Sequence, residues 1–276
     1  MTTQAYYLPQ SISEAVRLLD EHGPALLVMA GGTIAMPLIN EGISMPEKVM
    51  GLRRAGLDSI RRINGSLAIG ATVTLSQVQI EQEIRILVEA ARSVGGWALR
   101  NMGTVGGNLF APPPAGDFAT ALLALDAQVE LVSKAGERLI PLADFYTGFM
   151  LTDLHQGELV TGVQLPVPQG KTVYLKYGRR HANTPSIVTV AAQVLLDGKK
   201  VKVPRLALNA VGPHPMRALQ AEKALTGAIL DAAAIAEAAK IAAQECEPFT
   251  DAVASDWYRR KMVEVYVRRA LEQIAL

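Results

Sequence analysis

The stretch RNMGTVGGNLFAPPPAGD, Arg100 to Asp117, constrains this fold more than any other part of the chain. It holds four glycines and three consecutive prolines. That much bare backbone is unusual, because glycine loses the most freedom on ordering and proline has no N–H to donate. A second segment shares its grammar. AGGTI (30–34) follows ALLVMA (25–30), a short apolar run of strand length. Each segment sets paired glycines beside a threonine: Gly31 and Gly32 before Thr33, and Gly106 and Gly107 after Thr104 and Val105. Bare consecutive amides form a concave nest of positive partial charge. Thr33, Thr104 and Asn108 add side-chain donors. Such a pair of nests suits the two phosphates of a dinucleotide.

Neither segment reads G-x-G-x-x-G or G-x-x-x-x-G-K-[ST], and neither carries a lysine. The chemistry therefore fits a diphosphate that is held, not transferred. A plainer account exists for each part. A lone Gly-Gly is ordinarily a turn, and Pro112 to Pro114 make a rigid connector. Asp117, ten residues past the second glycine pair, either accepts from a sugar or ribityl hydroxyl or caps the helix DFATALLALDA.

Composition narrows the classes. The 276 residues make one large domain or two modest ones, and half of them are hydrophobic, enough for a sizeable core. The formal net charge of +1 argues against a nucleic-acid partner or a membrane surface. No apolar run approaches the roughly 20 residues that span a bilayer. The opening MTTQAYYLPQ lacks the basic start and apolar centre of a signal peptide, so a cytoplasmic location is expected. The single cysteine, Cys246, excludes an internal disulfide and also an iron–sulfur cluster, which takes about four thiolates. His22, His155, His181 and His214 show no metal-ligand spacing. Redox chemistry must come from an organic cofactor or from a partner chain.

The remaining pattern is mixed. SISEAVRLLDEHG reads as a helix, with Ser11 and Glu14 spaced as a capping box. SIRRINGSLAIGA reads as a hairpin turning on Asn64-Gly65. A helical pattern runs from about Leu75 to Val94, and DFATALLALDA continues it beyond the glycine stretch. QVELVS and ELVTGVQLPVP read as strands, with AGER as a turn between them. Pro166, Pro168 and Gly170 mark a boundary between 1–168 and 169–276, the first part dividing again near residue 52. Beyond it, TVYLKYGRR, SIVTVAAQVLLDG and VPRLALNAVG read as three strands and the rest as helices, the last capped by Ser255.

AGGT, RNMGTVGGNL, GDFATALLALDA, ELVTGVQLP and ASDWYRRKM together resemble the FAD-binding medium subunit of the molybdenum hydroxylases, the carbon monoxide dehydrogenase and xanthine dehydrogenase family. The resemblance runs over essentially the whole chain. It implies an α+β fold: a two-subdomain FAD-binding module of the vanillyl-alcohol oxidase type, then a three-stranded antiparallel sheet with a helical bundle. It implies that Ala30, Gly31, Gly32, Thr33 and Ile34, with Thr104, Val105, Gly106, Gly107 and Asn108, wrap the FAD diphosphate. Asp117 would bind a hydroxyl of the cofactor chain, Lys176 would stand close to the isoalloxazine ring, and Val160 would supply an apolar contact. No catalytic residue and no metal ligand is expected in this chain. The implied partners are a small 2Fe-2S subunit and a large molybdopterin subunit, assembled as a dimer of heterotrimers. Electrons would pass from the partner clusters to FAD and on to NAD, oxygen or a quinone.

One departure stands out. Relatives often carry an aspartate in the loop after the lysine, where this chain has Asn183-Thr184-Pro185. Two other readings compete: a free-standing FAD oxidase, and a flavin-free nucleotide-binding assembly protein. Low aromatic content opposes the first, and the intact glycine set with Asp117 opposes the second.

Overall fold

A computed structural model describes residues 3–80 and 84–276. The chain begins with three short parallel strands: β1 (Ala5–Tyr7), β2 (Leu26–Met29) and β3 (Lys48–Gly51), in the order β1-β3-β2. Helix α1 (Ile12–His22) connects β1 to β2 and buries Ala15, Val16, Leu18 and Leu19. The Ser11 hydroxyl accepts the Glu14 N–H at 3.1 Å. The Glu14 carboxylate reaches the N–H of Gln10 at 2.7 Å, one residue short of a reciprocal capping box. Helix α2 (Ala35–Asn40) follows the first glycine segment directly.

Next comes a five-stranded antiparallel sheet. Strands β4 (Ile60–Ile63) and β5 (Ser66–Gly70) form the expected hairpin, with φ of 50° at Asn64 and 80° at Gly65. Both angles lie in the left-handed region that a type I′ turn requires. The helical pattern of 75–94 divides into α3 (Leu75–Val78) and α4 (Arg85–Ser93); residues 81–83 of that pattern lie outside the described residues. Three further helices follow: α5 (Trp97–Arg100), α6 (Val105–Leu109) and α7 (Asp117–Ala124). The sheet is completed by β6 (Gln128–Ser133) and β7 (Gly136–Pro141) and, after α8 (Leu142–Phe145) and the small hairpin β8 (Tyr146–Gly148) and β9 (Leu151–Thr152), by β10 (Leu159–Pro166). Its order is β4-β5-β10-β6-β7.

The last third holds β11 (Lys171–Gly178), β12 (Ser186–Asp197) and β13 (Lys200–Asn209), the three strands expected. A two-residue strand, β14 (Met216–Arg217), extends the sheet at Ala207 and Leu208. Helices α9 (Leu219–Leu225) and α11 (Asp256–Ala275) pack on it, and α10 (Ala232–Glu245) packs on both of them. The Ser255 hydroxyl caps α11 by accepting the Tyr258 N–H at 3.2 Å.

Strand β12 is buried on both faces, which explains its almost continuous apolar sequence. Val188, Val190, Ala192 and Val194 point into the core shared with α10 and α11. Ala191 joins the core of the first domain, and α7 packs against β12 and β13. All eight residues of α7 are buried, so this helix is the strut between the two halves of the molecule. Both its ends carry a carboxylate that reaches across. Asp117 does so at the first residue. Asp126, two residues past the last, pairs with Arg205 of β13 and with Arg217 of β14, the latter at 2.7 Å. Arg217 also forks onto Glu222 at 2.5 and 2.6 Å. Cys246 is buried in the C-terminal core, and burial pushes its thiol up to about 12, which makes it inert at neutral pH.

Candidate functional site

The two glycine segments meet. The first leaves β2 at Met29 and turns through Gly32, whose φ of 75° suits glycine. The second is stitched to the chain after β5. Thr104 opposes Thr74 in an isolated bridge, flanked by Leu75 N–H to Gly103 O and Val105 N–H to Val73 O, both 2.9 Å. Their contact is backbone on backbone. A Cβ built on Gly31 would lie 1.8 Å from the Met102 carbonyl oxygen and 3.3 Å from Gly103 Cα. A Cβ on Gly103 would sit 3.6 Å from the Thr33 hydroxyl.

Between the segments lies a cavity of about 350 Å³. Ala30, Gly31, Gly32, Thr33 and Ile34 line one side; Thr104, Gly106 and Gly107 line the other. Val28, Phe110, Leu159 and Val160 give it an apolar end. Val160 stands where β10 bulges against β6. Val105 and Asn108 do not line the cavity. Val105 is buried in the core, and the Asn108 side-chain oxygen accepts the Ala119 N–H of α7 at 3.2 Å. Both hold the second segment in place.

The amides of the two segments are used differently. Among the described residues, the N–H groups of Gly31, Gly32, Thr33 and Ile34 find no acceptor. These are free donors on one wall of a cavity, where an unpaired polar group is costly unless a ligand or water meets it. The second segment was expected to offer a similar nest and does not. Val105 donates to Val73 O, Gly106 to Ala71 O at 3.0 Å, Gly107 to the Thr104 hydroxyl at 3.1 Å and Asn108 to Thr104 O at 2.9 Å. Its glycines serve close approach instead: a Cβ on Gly106 would come within 2.7 Å of Ala71 Cβ. Because the Thr104 oxygen accepts from Gly107, its own proton is free to point into the cavity.

Glu158 closes the rim. The Arg138 guanidinium grips it at 2.6 and 2.9 Å and also holds Asp153 at 2.9 Å. The Arg138 fork keeps the Glu158 carboxyl below the ordinary glutamate range against the opposing effect of burial. A depressed folded value gives stability that is present above the unfolded glutamate range and is lost as pH falls through the folded value. Replacing Arg138 by Met is therefore expected to raise the Glu158 pKa and to move that loss to higher pH. A carboxyl ¹³C shift titration reads the first effect, and acid unfolding curves read the second.

Asp117 and Lys176 are brought together, outside this cavity. Asp117 is the first residue of α7; Gly116, with φ of 89°, is its N-cap, so the carboxylate does not cap the helix. One carboxylate oxygen accepts the Ser186 and Thr189 hydroxyls, each at 2.6 Å, and the Asn209 amide at 3.5 Å. The other accepts the Lys176 ammonium at 2.8 Å. Lys176 also donates to Ser93 O at 2.9 Å, and its side chain is only 12% exposed. Ser186, Thr189 and Asn209 had not been singled out from the sequence. The available signal was the polar residues Ser186 and Thr189 within the apolar run of β12, and Asn209 at the end of the apolar run of β13.

Comparison with known proteins decides the family. Residues 1–168 match the FAD binding domain in molybdopterin dehydrogenase, and residues 173–274 match the CO dehydrogenase flavoprotein C-terminal domain. The chain belongs to this family of FAD-binding dehydrogenase subunits. It is 31% identical to the glyceraldehyde dehydrogenase medium chain of Sulfolobus acidocaldarius over 98% of both chains. It is also 31% identical to the carbon monoxide dehydrogenase medium chain of Afipia carboxidovorans, covering 97% of this chain and 95% of that one. The solved Cu,Mo-CO dehydrogenase in its cyanide-inactivated form superposes with a TM-score of 0.93 at 30% identity, covering 100% of this chain and 99% of that one. The family resemblance and the α+β fold expected from the motifs therefore hold. As a member of this family the chain is an oxidoreductase subunit, with FAD as its cofactor. The lining fits that cofactor: four amides without a protein acceptor would meet the charge of a diphosphate, and the apolar side chains would face a flat ring. Among the described residues no helix is long and apolar enough to cross a membrane, and no cluster of His, Cys, Asp and Glu fits a metal ion.

Proposed function

We propose that this chain is the flavin-carrying electron-transfer subunit of a molybdenum-containing hydroxylase. It works with a small 2Fe-2S subunit and a large molybdopterin subunit. Bound FAD supplies two-electron acceptance from the partner clusters and release to an external acceptor. The observation that carries the reading is the direct contact of two distant glycine segments around one cavity with four uncommitted N–H groups.

The residues of the chain bind and orient. The amides of Gly31 to Ile34 face the diphosphate, and Ala30 completes that wall. The Thr33 and Thr104 hydroxyls donate beside them. Gly106 and Gly107 give the second wall a bare surface that a diphosphate can approach closely. Val105 and Asn108 fix that wall from behind. Val160, with Phe110 and Leu159, keeps water from the apolar end. Asp117 and Lys176 act one layer away, where their ion pair fixes α7 and β11 around the cofactor. No acid, base or nucleophile is required of this chain. Its single cysteine leaves electron supply to another polypeptide.

The test is direct. The purified chain should be yellow with FAD, reducible by a reduced 2Fe-2S partner, and inert toward oxidisable substrates on its own. A colourless chain that takes up no FAD would overturn the reading, as would substrate oxidation by the isolated chain.

A further inference from the structure

The cavity between the glycine segments holds one side chain that a diphosphate does not explain. Among the described residues that line it, Glu158 alone is charged. Its side chain is 9% exposed, and its charge has the same sign as a diphosphate. A fixed anion repels such a group. Glu158 therefore faces another part of the cofactor, one that offers a hydrogen-bond donor.

Its own hydrogen bonds leave room for that donor. A carboxylate has about four acceptor sites. Oε1 accepts Arg138 Nε at 2.6 Å, while Oε2 accepts Arg138 Nη2 at 2.9 Å and the His155 N–H at 2.7 Å. The His155 ring nitrogen Nδ1 stands 3.8 Å from Oε1, beyond hydrogen-bond reach. The open site is on Oε1. The Arg138 fork, which also holds Asp153, fixes the plane of the carboxylate. Leu154, Leu159 and Val160, its neighbours along the chain, line the same cavity.

FAD has three kinds of donor: the N3–H of its flavin ring, the hydroxyls of its sugar chains and the amine of its adenine. The flavin N3–H lies between two carbonyl oxygens, and the ring gains negative charge on reduction, so a carboxylate there would oppose electron acceptance. Lys176, the cation expected beside that ring, lies outside this cavity. Sugar hydroxyls gain little from a leucine and valine wall, whereas the faces of a base are suited to it. We propose that Glu158 selects the base of the dinucleotide, its Oε1 accepting a hydrogen bond from the exocyclic amine of adenine, with Arg138 as the positioning residue. The inference rests on the flavin reading above and extends it to the chemistry that recognises one end of the cofactor.

The experiment titrates the full chain, freed of flavin, with FAD and with flavin hypoxanthine dinucleotide, in which a carbonyl replaces the amine. Flavin fluorescence reads both affinities. The wild-type chain should bind the hypoxanthine form at least about tenfold more weakly, because a hydrogen bond is lost and a carbonyl oxygen meets a carboxylate. Glu158→Gln should bring the two affinities within about threefold, because its amide can donate to that carbonyl. Glu158→Ala should also remove the preference. The ratio is the readout, since a loss of folding stability lowers both affinities alike. Equal binding of the two dinucleotides by the wild-type chain would refute the assignment. So would a ratio that neither variant changes. A 2′-deoxyadenosine form of FAD adds a further arm: weaker binding there, with none on deamination, would give Glu158 to the sugar and overturn the proposal. A chain that takes up neither FAD nor its analogues would overturn the flavin reading, and this inference with it; a chain that binds FAD without preference overturns only the inference.

Discussion

Gly31→Ala is expected to weaken FAD binding at least a hundredfold and to destabilise the first domain by about 3 kcal/mol, the upper end of ordinary overpacking costs. The added methyl carbon would sit 1.8 Å from the Met102 carbonyl oxygen and 2.7 Å from its carbonyl carbon. Those atoms are backbone, and Met102 leads straight into the bridge between Thr104 and Thr74, so it has no flexible end to swing away. The two segments would have to separate, and the cavity exists only while they touch. At about 1.4 kcal/mol per tenfold, an affinity loss of at least a hundredfold follows. Two neighbouring glycines sharpen the test. A Cβ on Gly32 meets only the Met29 and Met36 side chains, at 3.3 Å, and its cost comes mainly from the positive φ. A Cβ on Gly107 meets only the Thr104 hydroxyl at 3.0 Å. Gly32→Ala and Gly107→Ala should therefore fold more stably than Gly31→Ala. FAD titration by flavin fluorescence, alongside thermal melts, gives both numbers. Unchanged affinity in Gly31→Ala would mean that contact between the segments does not build the site.

Asp117→Ala should cost about 3–5 kcal/mol of folding stability, the range for stripping one partner from a buried ion pair. The side chains of Asp117 and Lys176 are 6% and 12% exposed, so an orphaned ammonium has little access to water. The Ser186 and Thr189 hydroxyls would lose their acceptor as well. The loss lies in the denaturant midpoint and should appear whether or not FAD is present. Lys176→Met in the Asp117→Asn background tests the mechanism, because removing both charges leaves nothing ionic unpaired. The double variant should be more stable than Asp117→Ala, and the coupling between the sites follows from the mutant cycle. If Asp117→Ala unfolds at the wild-type denaturant concentration, the pair is not what joins α7 to the C-terminal sheet.

What could be read from the sequence was largely local. The Asn64-Gly65 turn, the Ser11 and Ser255 caps and the two glycine segments each depend on residues a few positions apart, and each lies where it was expected. The missing pieces depend on distant partners. Strand β1 is three residues long and exists because β3 lies beside it. Strand β7, at the edge of its sheet, is half exposed and reads as little more than the end of a turn. The amides of Val105 and Gly106 looked free because their acceptors, Val73 and Ala71, lie more than thirty residues earlier in the chain; those of Gly107 and Asn108 turn back onto Thr104. Asp117 looked equally available, yet its donors come from residues 176, 186, 189 and 209. A glycine pattern reveals where backbone is bare. It does not reveal which bare groups the rest of the fold will claim.

The helix α7, held by acids at both ends, sets how the molecule comes apart. Each half has its own apolar core, and on that ground alone each would melt separately. Prying them apart, however, would strand the lysine and two arginines that Asp117 and Asp126 now neutralise, and would wet a helix with no polar face. The halves are therefore expected to melt in one transition, a single calorimetric peak in place of two. On that basis a cofactor reaches the first half through the mouth of its cavity and not through a parting of the two halves.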